Sequence, residues 1–403
     1  MKTIFVLIDA LKSTYLTPEN MPFLYGFCQN NRYIKRVMPG PGFCERSEII
    51  TGLDAFDTGN FTAIGFDPQN GCYRDCCVRI FGIMELFSKR ISRSLFRRYA
   101  YKKGIKMSSY NIPFSILKNF VLTEDGERKY IQYDSIFDIL KKRGKSFSLS
   151  CFTSLSSTSP SFSEITEQIL SEVNSNTYFI PAYIGIIDEK GHKYGSTLES
   201  IIPYLNEVDE KLRDIANIAI KNDYCICFLG DHGMIPVVRK VNILQKLQKT
   251  GLRLGVDYCM FLDSTIARFW FYNNYAENKI KEVLKSFFSN DGVIVSANNY
   301  LKYRIPLDVK SEGQTLYGDL LWFANRGVVI SPDFFHTDIS QEKGMHGYLD
   351  QNDGDGTGLF ASASPLIMSE QIECISLKKI CNELCNLLEI DYPNQNWKRL
   401  VER

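Results

Sequence analysis

Three carboxylates and three imidazoles stand at turns in this chain of 403 residues, and each follows or interrupts an apolar run. Asp9 ends Thr3-Ile4-Phe5-Val6-Leu7-Ile8, and Asp188 and His192 follow the run Tyr183 to Ile187 within Asp188-Glu189-Lys190-Gly191-His192. Asp231 and His232 follow Cys225 to Leu229, and His346 lies in Gly344-Met345-His346-Gly347. One isolated Asp-His pair is most simply a hydrogen-bonded pair. The chain has only four histidines, however, and three of them sit next to a glycine in such turns, which scattered core histidines would seldom do. Three Asp and three His form a mixed oxygen and nitrogen donor set, and that set suits two zinc-like divalent ions, with Mn2+ or Mg2+ as alternatives.

Such residues act together only if the fold gathers them. Each acid leaves a strand-like run, and the outer ends of strands are where α/β sheets keep their ligands. Apolar periodicity predicts helices within Leu16 to Asn30 and at Phe43 to Thr51, Tyr133 to Lys145, Phe162 to Val173 (opened by Ser163), Leu198 to Ile220, Lys240 to Gly251, Ala276 to Ser289 and Leu377 to Leu388. Strands are predicted at Tyr33 to Val37, Phe147 to Phe152, Tyr258 to Leu262, Ile266 to Tyr272, Gly292 to Ser296 and Gly327 to Ser331. The alternation argues an α/β fold, a mainly parallel sheet with helices on both faces. Ser154 to Ser163 and Asp350 to Gly358 read as loops. His336 has no assigned role.

The segment Arg79 to Lys106 holds nine Lys or Arg against one acid, Glu85. If helical from about Ile83, it sets Ile83, Phe87, Ile91 and Leu95 on one side and Lys89, Arg93 and Arg97 on another. One reading is a cap helix that packs its apolar face on the core and solvates its basic back. The other is an amphipathic helix that docks on an anionic membrane surface.

Length and a 44% hydrophobic content fit one domain over 1–403, with an inserted cap at 66–132 and a second elaboration at 240–325. A formal net charge of +1 gives no ground for a specific nucleic-acid partner. Twelve cysteines, among them Cys76-Cys77 and the strand pair Cys225 and Cys227, suit reduced thiols better than a secreted disulfide frame. The apolar run after Lys2 is short, meets Asp9 and lacks a small-residue cleavage site, so it is not read as a signal peptide. With no run long enough to span a bilayer, the expected location is cytoplasmic, peripheral to a membrane if the basic segment docks. Oligomeric state is not legible.

Taken in order, Asp9, Ile49-Ile50-Thr51-Gly52-Leu53, Asp188-Glu189-Lys190-Gly191-His192, Gly230-Asp231-His232-Gly233-Met234 and Gly344-Met345-His346-Gly347-Tyr348 resemble the alkaline phosphatase superfamily. Within it the match is to the nucleotide pyrophosphatase/phosphodiesterase family, which Ser264 to Phe271 and Tyr317 to Trp322 also resemble. The resemblance implies a three-layer sandwich, one metal on Asp188, His192 and His346, and a second on Asp9, Asp231 and His232. It further implies hydrolysis of phosphodiester or pyrophosphate bonds in a small, nucleotide-type substrate, with Phe43, Phe61 and Tyr348 as candidates to stack on a base.

One position departs from the family pattern. The family's threonine or serine nucleophile falls on Gly42 when the motif is laid without gaps on Pro39 to Gly52. Either a rebuilt loop brings Cys44, or less readily Ser47, to the site, or water activated at the metals attacks directly. Cys44 is the expected nucleophile, because a helix N-terminus and nearby dications favour a thiolate; its plain alternative is a small residue packing the loop. Glu45 and Arg46 are candidates to hold metal or anion, against the default of solvated charge. A sulfatase is disfavoured, since Cys44-Glu45-Arg46-Ser47-Glu48 lacks the proline and arginine of that motif. Two rival readings stand beside the hydrolase: a phosphotransferase acting on a sugar or lipid hydroxyl, and an inactive relative that binds a nucleotide or anionic lipid. Gly42 speaks for the second, six intact ligands against it.

Overall fold

The computed structural model describes residues 1–403 apart from 106, 108–110, 124–132, 151, 153–160, 308–313, 337–341, 351–352, 366–367 and 395–403. Thr3–Ile8 is buried along its whole length, because its alternate side chains enter two separate apolar layers. Ile4, Val6 and Ile8 pack with Leu24, Ile169, Leu205 and Leu212 on one face, while Phe5 and Leu7 pack with Ile49, Leu140, Ile380 and Leu384 on the other. A strand covered on both faces reads as an unbroken apolar run and belongs in the interior of a sheet. It lies there: the six-stranded sheet runs Gln371–Ser376, Arg32–Met38, Gly358–Ala363, Cys225–Gly230, Thr3–Ile8, Phe179–Ile184. All pairs are parallel except those of Gly358–Ala363, which runs against both neighbours and makes the sheet mixed. The expected α/β layering, a mainly parallel sheet between helices, is the observed architecture.

Several boundaries differ from the sequence expectation. The strand before Asp188 ends at Ile184, and a helix, Ile186–Tyr194, begins after Gly185. Asp188 and His192 are therefore one turn apart on a helix rather than in a loop. Phe147 makes a single bridge to Phe179 in place of the predicted strand. The helix Phe162–Asn174 is capped by Ser161, not Ser163, through a reciprocal capping box with Glu164. The region predicted as a helix from Lys240 holds the short strand Arg239–Val241 and then the helix Ile243–Gln248. Most of the Ser154 to Ser163 loop lies outside the described residues.

A second, antiparallel sheet runs Gly292–Ser296, Leu320–Ala324, Ile266–Phe271, Tyr258–Leu262. At its centre Arg268 is fully buried; Nε donates to Asp263 Oδ2 at 2.7 Å and Nη1 to the Ile64 carbonyl at 2.6 Å. A guanidinium can be buried because its donors and its charge are both matched.

The basic segment is a pair of helices, Val78–Glu85 and Lys89–Lys102, broken where the Ser88 side chain caps the second. Arg93 joins them. It is buried, grips the Glu85 carboxylate with two nitrogens (2.8 and 3.3 Å), donates to the Ile112 carbonyl and lies 4.0 Å above the Phe114 ring. Phe96 and Ala100 pack inward with Tyr73 and Phe114. The helical side expected to meet the core, Ile83, Phe87, Ile91 and Leu95, faces solvent instead, because the buried stripe is turned one residue along to Ser92, Arg93 and Phe96. Lys106 lies outside the described residues. No helix among the described residues is long and apolar enough to cross a membrane.

Candidate metal centre

Three parallel strands end together, and each delivers ligands at the same edge. Asp9 follows the first strand directly, and its N–H donates to the Ile184 carbonyl at the end of the neighbouring strand. Asp231 follows the third strand. Its Oδ1 accepts from the N–H groups of His232 (3.0 Å) and Ala10 (3.3 Å), which ties two strand ends together. Close approach is possible because Gly230 has no side chain: a Cβ there would stand 2.1 Å from the Leu11 carbonyl oxygen. Lys12, buried beneath, donates to the carbonyls of Ser196 and Met234 and pairs with Asp355 at 2.9 Å. His346 comes from a distant loop, pinned by pairing of Gly344 and Met345 with Pro236 and Ile235 and by the Lys343 N–H to the His192 carbonyl at 2.7 Å.

The imidazoles are turned for coordination. His192 Nδ1 lies 2.9 Å from the Gly344 carbonyl and His232 Nδ1 lies 2.8 Å from the Gly233 carbonyl. A carbonyl only accepts, so both Nδ1 atoms carry the proton and both Nε2 atoms are left as ligands. Those Nε2 atoms face Asp188 Oδ1 at 3.2 Å and Asp9 Oδ1 at 3.1 Å, and His346 Nε2 lies 3.7 Å from Asp188 Oδ1. The His232 and His346 rings stack at 3.9 Å between centroids.

Three groups of ligand atoms each fit within 4.8 Å: Asp188, His192 and His346; Asp9, Asp188 and His232; and Glu45, His232 and His346. The first is the trio expected for one metal. The second joins Asp9 and His232 as expected, with Asp188 at its centre, while Asp231 stands just outside it, Oδ1 being 3.9 Å from His232 Nε2. Asp9 Oδ1, Asp188 Oδ1, Glu45 Oε1 and His346 Nδ1 are buried without a hydrogen-bond partner. Unpartnered polar atoms rarely stay buried unless a ligand satisfies them. Oxygen and imidazole donors converging on one cleft therefore fit divalent cations.

The charges show the same need. Burial works to raise the Asp9 carboxyl, but His232 and the Tyr183 hydroxyl, 2.5 Å from Oδ2, hold it below the usual carboxylate range. Burial would lower His192, and the Asp188 carboxylate outweighs it to hold the imidazole up at about 9. Asp231 is pushed up to about 8 by burial and by the charges of Asp9 and Glu45, against the pull of His232. Burial raises Glu45 as well. Burial and the neighbouring His232 and His192 hold His346 far below its ordinary value. A divalent cation would favour every carboxylate in this cleft as an anion and every imidazole as neutral.

The loop at the expected nucleophile position is not arranged as the sequence suggested. Gly42 has φ +95°, and a Cβ would lie 2.2 Å from the Phe61 carbonyl oxygen, so no side chain can occupy that position on this backbone. Cys44 is buried at the cap of Glu45–Thr51 and packs in an apolar cluster with Ala55, Phe61 and Tyr317. Ser47 Oγ lies 3.4 Å from the Tyr133 hydroxyl. The residue of this loop within ligand reach of the histidines is Glu45. Arg46, treated by default as a solvated charge, lies 4.6 Å above the Tyr183 ring, beside the tyrosine bonded to Asp9. Its signal was faint: one arginine in a charged tetrapeptide. Of the three aromatics, Phe61 and Tyr348 are buried, and Phe43 is half-buried with its ring edge-on to His346 at 5.5 Å. His336 stands nearby, its ring 6.2 Å from that of His192 and its Nδ1 2.7 Å from Asp333.

Comparison with known proteins gives the family and the fold. A family model described as type I phosphodiesterase / nucleotide pyrophosphatase matches residues 3–349. No curated protein sequence matches the chain. Solved structures share the fold: the murine ectonucleotide pyrophosphatase / phosphodiesterase 5 at 15% identity and TM-score 0.68, covering 99% of this chain and 98% of that one. The human protein of the same name aligns at 15% identity and TM-score 0.69, covering 99% and 97%. An inactive variant of the murine protein, in complex with AMP, aligns at 15% and 0.68, covering 99% and 97%.

Proposed function

The chain belongs to the type I phosphodiesterase / nucleotide pyrophosphatase family, and on that premise we propose that it hydrolyses phosphodiester or pyrophosphate bonds of nucleotide-type substrates with two divalent ions, zinc by the donor set. The observation that carries the reading is the convergence of Asp9, Asp188, His192, His232 and His346, with buried unpartnered atoms among them and Asp231 beside His232, at one sheet edge. Asp188, His192 and His346 would hold one ion, and Asp9, Asp231 and His232 the other. Bound there, the ions would polarise the phosphoryl oxygens and offset the charge that builds on the attacking and leaving oxygens. Gly233 and Gly344 carbonyls fix the His232 and His192 tautomers, and Tyr183 holds Asp9 in place. Arg46 offers a cation to the substrate's phosphate, and half-buried Phe43 offers a ring edge or face to its base. The murine relative's AMP supports a nucleoside 5′-monophosphate as the recognised group.

The test is turnover of a chromogenic nucleotide 5′-phosphodiester beside a phosphate monoester and a sulfate ester. The diester is cleaved fastest; equal or reversed rates would overturn the assignment. Gly42 favours one second reading, a relative that binds metal and AMP without turnover. Stoichiometric binding of both with no cleavage of any diester would establish it.

The helix pair Val78–Glu85 and Lys89–Lys102 fits a membrane contact. Leu86 is 84% and Phe87 88% exposed at its tip, with Ile83 and Ile91 beside them. Exposed Lys89 and Arg90 adjoin this apolar tip and exposed Arg97 and Arg98 follow along the same helix, positive charge that complements an anionic lipid surface. The chain should bind vesicles containing phosphatidylserine, with binding that falls with salt and with Phe87→Ser and is weaker on neutral vesicles. Salt-independent binding, or a dimer that Phe87→Ser dissolves without vesicles present, would refute a lipid partner.

A further inference from the structure

We propose that Glu45 is a ligand shared by both metal sites and fills the space where a protein nucleophile would stand, so that water, not a side chain, attacks phosphorus. The proposal rests on the two-metal reading and adds to it. Glu45 is placed by three features of one loop. Gly42 must remain without a side chain, because Phe61 stands against it. Cys44, at the N-cap position with no side-chain cap bond, turns into the apolar cluster. The next side chain, Glu45, then projects from the first turn toward the cleft. Its carboxylate reaches a group with His232, assigned to one ion, and His346, assigned to the other. These two rings stack at 3.9 Å, so one carboxylate of ordinary size can span the pair.

A second observation points the same way. Glu45 Oε1 is buried without a hydrogen-bond partner, although the helix N-terminus and the Arg46 guanidinium are close in sequence. A carboxylate oxygen buried without a partner in this cleft lowers stability unless a cation meets it. Glu48 Oε1, one turn further on, is also buried without a partner, but it stands against Gly40 and belongs to none of the ligand groups, so it is the ligand geometry that sets Glu45 apart. The distinction separates a carboxylate serving the cleft from one serving the scaffold.

The chemistry that follows is a single displacement. The oxygen of water forms a bond to phosphorus as the bond from phosphorus to the leaving oxygen breaks. The leaving oxygen takes the electron pair and is protonated from solvent, and the proton released by the water goes to solvent. No phosphorus bond to Cys44, Ser47 or Glu45 forms, so the configuration at phosphorus inverts once.

Zn2+ titration of the metal-free full chain, read by a competing chelator, tests the assignment without turnover. The parent chain should take two ions. Glu45→Gln should lose at least about tenfold in affinity at both sites, as metal centres lose 10–100-fold even when outer partners are removed, and Cys44→Ala should bind as the parent does. Metal-free Glu45→Gln should keep the parent fold by circular dichroism, and its melting temperature should gain less from Zn2+ than the parent's does. Glu45→Gln binding two ions with parental affinity would overturn the proposal, as would retention of configuration at phosphorus. Fewer than one ion in the parent chain would instead sink the two-metal reading itself, and the two failures are thereby told apart.

Discussion

Replacing Gly42 by threonine, the residue type the family uses, is the sharpest test of how the loop is built. The position has φ +95°, where a branched side chain costs on the order of 1–2 kcal/mol. Its Cβ would stand 2.2 Å from the Phe61 carbonyl oxygen and 2.8 Å from two atoms of that ring. The ring is fully buried, and the carbonyl accepts the Phe43 N–H at 2.9 Å, so relief means losing that hydrogen bond, about 1 kcal/mol, and shifting a packed aromatic, about 1–3 kcal/mol more. The sum is roughly 3–6 kcal/mol. At about 2 cal/mol/K of unfolding entropy per residue, a chain of 403 residues loses roughly 4–7 °C in melting temperature. Calorimetry of the metal-free Gly42→Thr protein measures the shift, and diester turnover should fall rather than rise. A variant that melts at the parent's temperature, or that turns over faster, would refute the reasoning.

Three further outcomes follow. His346→Ala should remove one ion per chain and abolish diester turnover while the circular dichroism spectrum is kept; full activity would remove His346 from the centre. Arg93→Ala should cost about 2–3 kcal/mol, at the lower end for a broken buried pair because Glu85 is 25% exposed, and should speed proteolysis within residues 78–102; unchanged cleavage would deny Arg93 its joining role. Asp54 caps Ala55–Thr58, bonds Lys378 Nζ at 2.9 Å and pairs with Arg304. Burial works to raise its carboxyl, yet Lys378, the Asp57 N–H and Arg304 hold it below its ordinary 3.8. That stability is present above this value and is lost as pH falls through the lower folded value. Asp54→Ala should thus cost about 1–2 kcal/mol at pH 7 and match the parent at strongly acid pH; a gap that persists in acid would refute the ionic part.

The centre was legible where chemistry is local. Asp9, His192, Asp231, His232 and His346 announce themselves as acids and imidazoles beside turns, and the sheet edge brings them together. The break between Ile184 and Ile186 was hidden, since an apolar run does not show where a strand gives way to a helix. Gly358–Ala363, the strand that makes the sheet mixed, reads Gly-Leu-Phe-Ala-Ser-Ala, with one aromatic and no β-branched residue to mark it. The face of Lys89–Lys102 was misplaced because a periodic stripe fixes an angle only to within a residue, and a buried Arg93 counts as polar in any such pattern. Glu45 was weighed but not chosen: which of three adjacent polar residues enters a cleft depends on the cap at Cys44 and the clash at Gly42, neither visible in residue types.

His346 reaches the cleft from a loop far along the chain from Asp9, and that order constrains how the protein is made. Synthesis proceeds from the N-terminus at ~5–20 residues per second. On the order of half a minute therefore separates the ribosome's release of Asp9 from that of His346, and through this interval the cleft lacks a ligand assigned to one ion. Gly344 and Met345 must also pair with Pro236 and Ile235 before the loop is seated. A truncated chain ending before this loop keeps the five other ligands but cannot close that ion's site. Under the two-ion reading the loop around His346 is the last ligand-bearing segment to be made, so that ion's site closes only once Lys343 and Met345 are seated against His192 and Ile235.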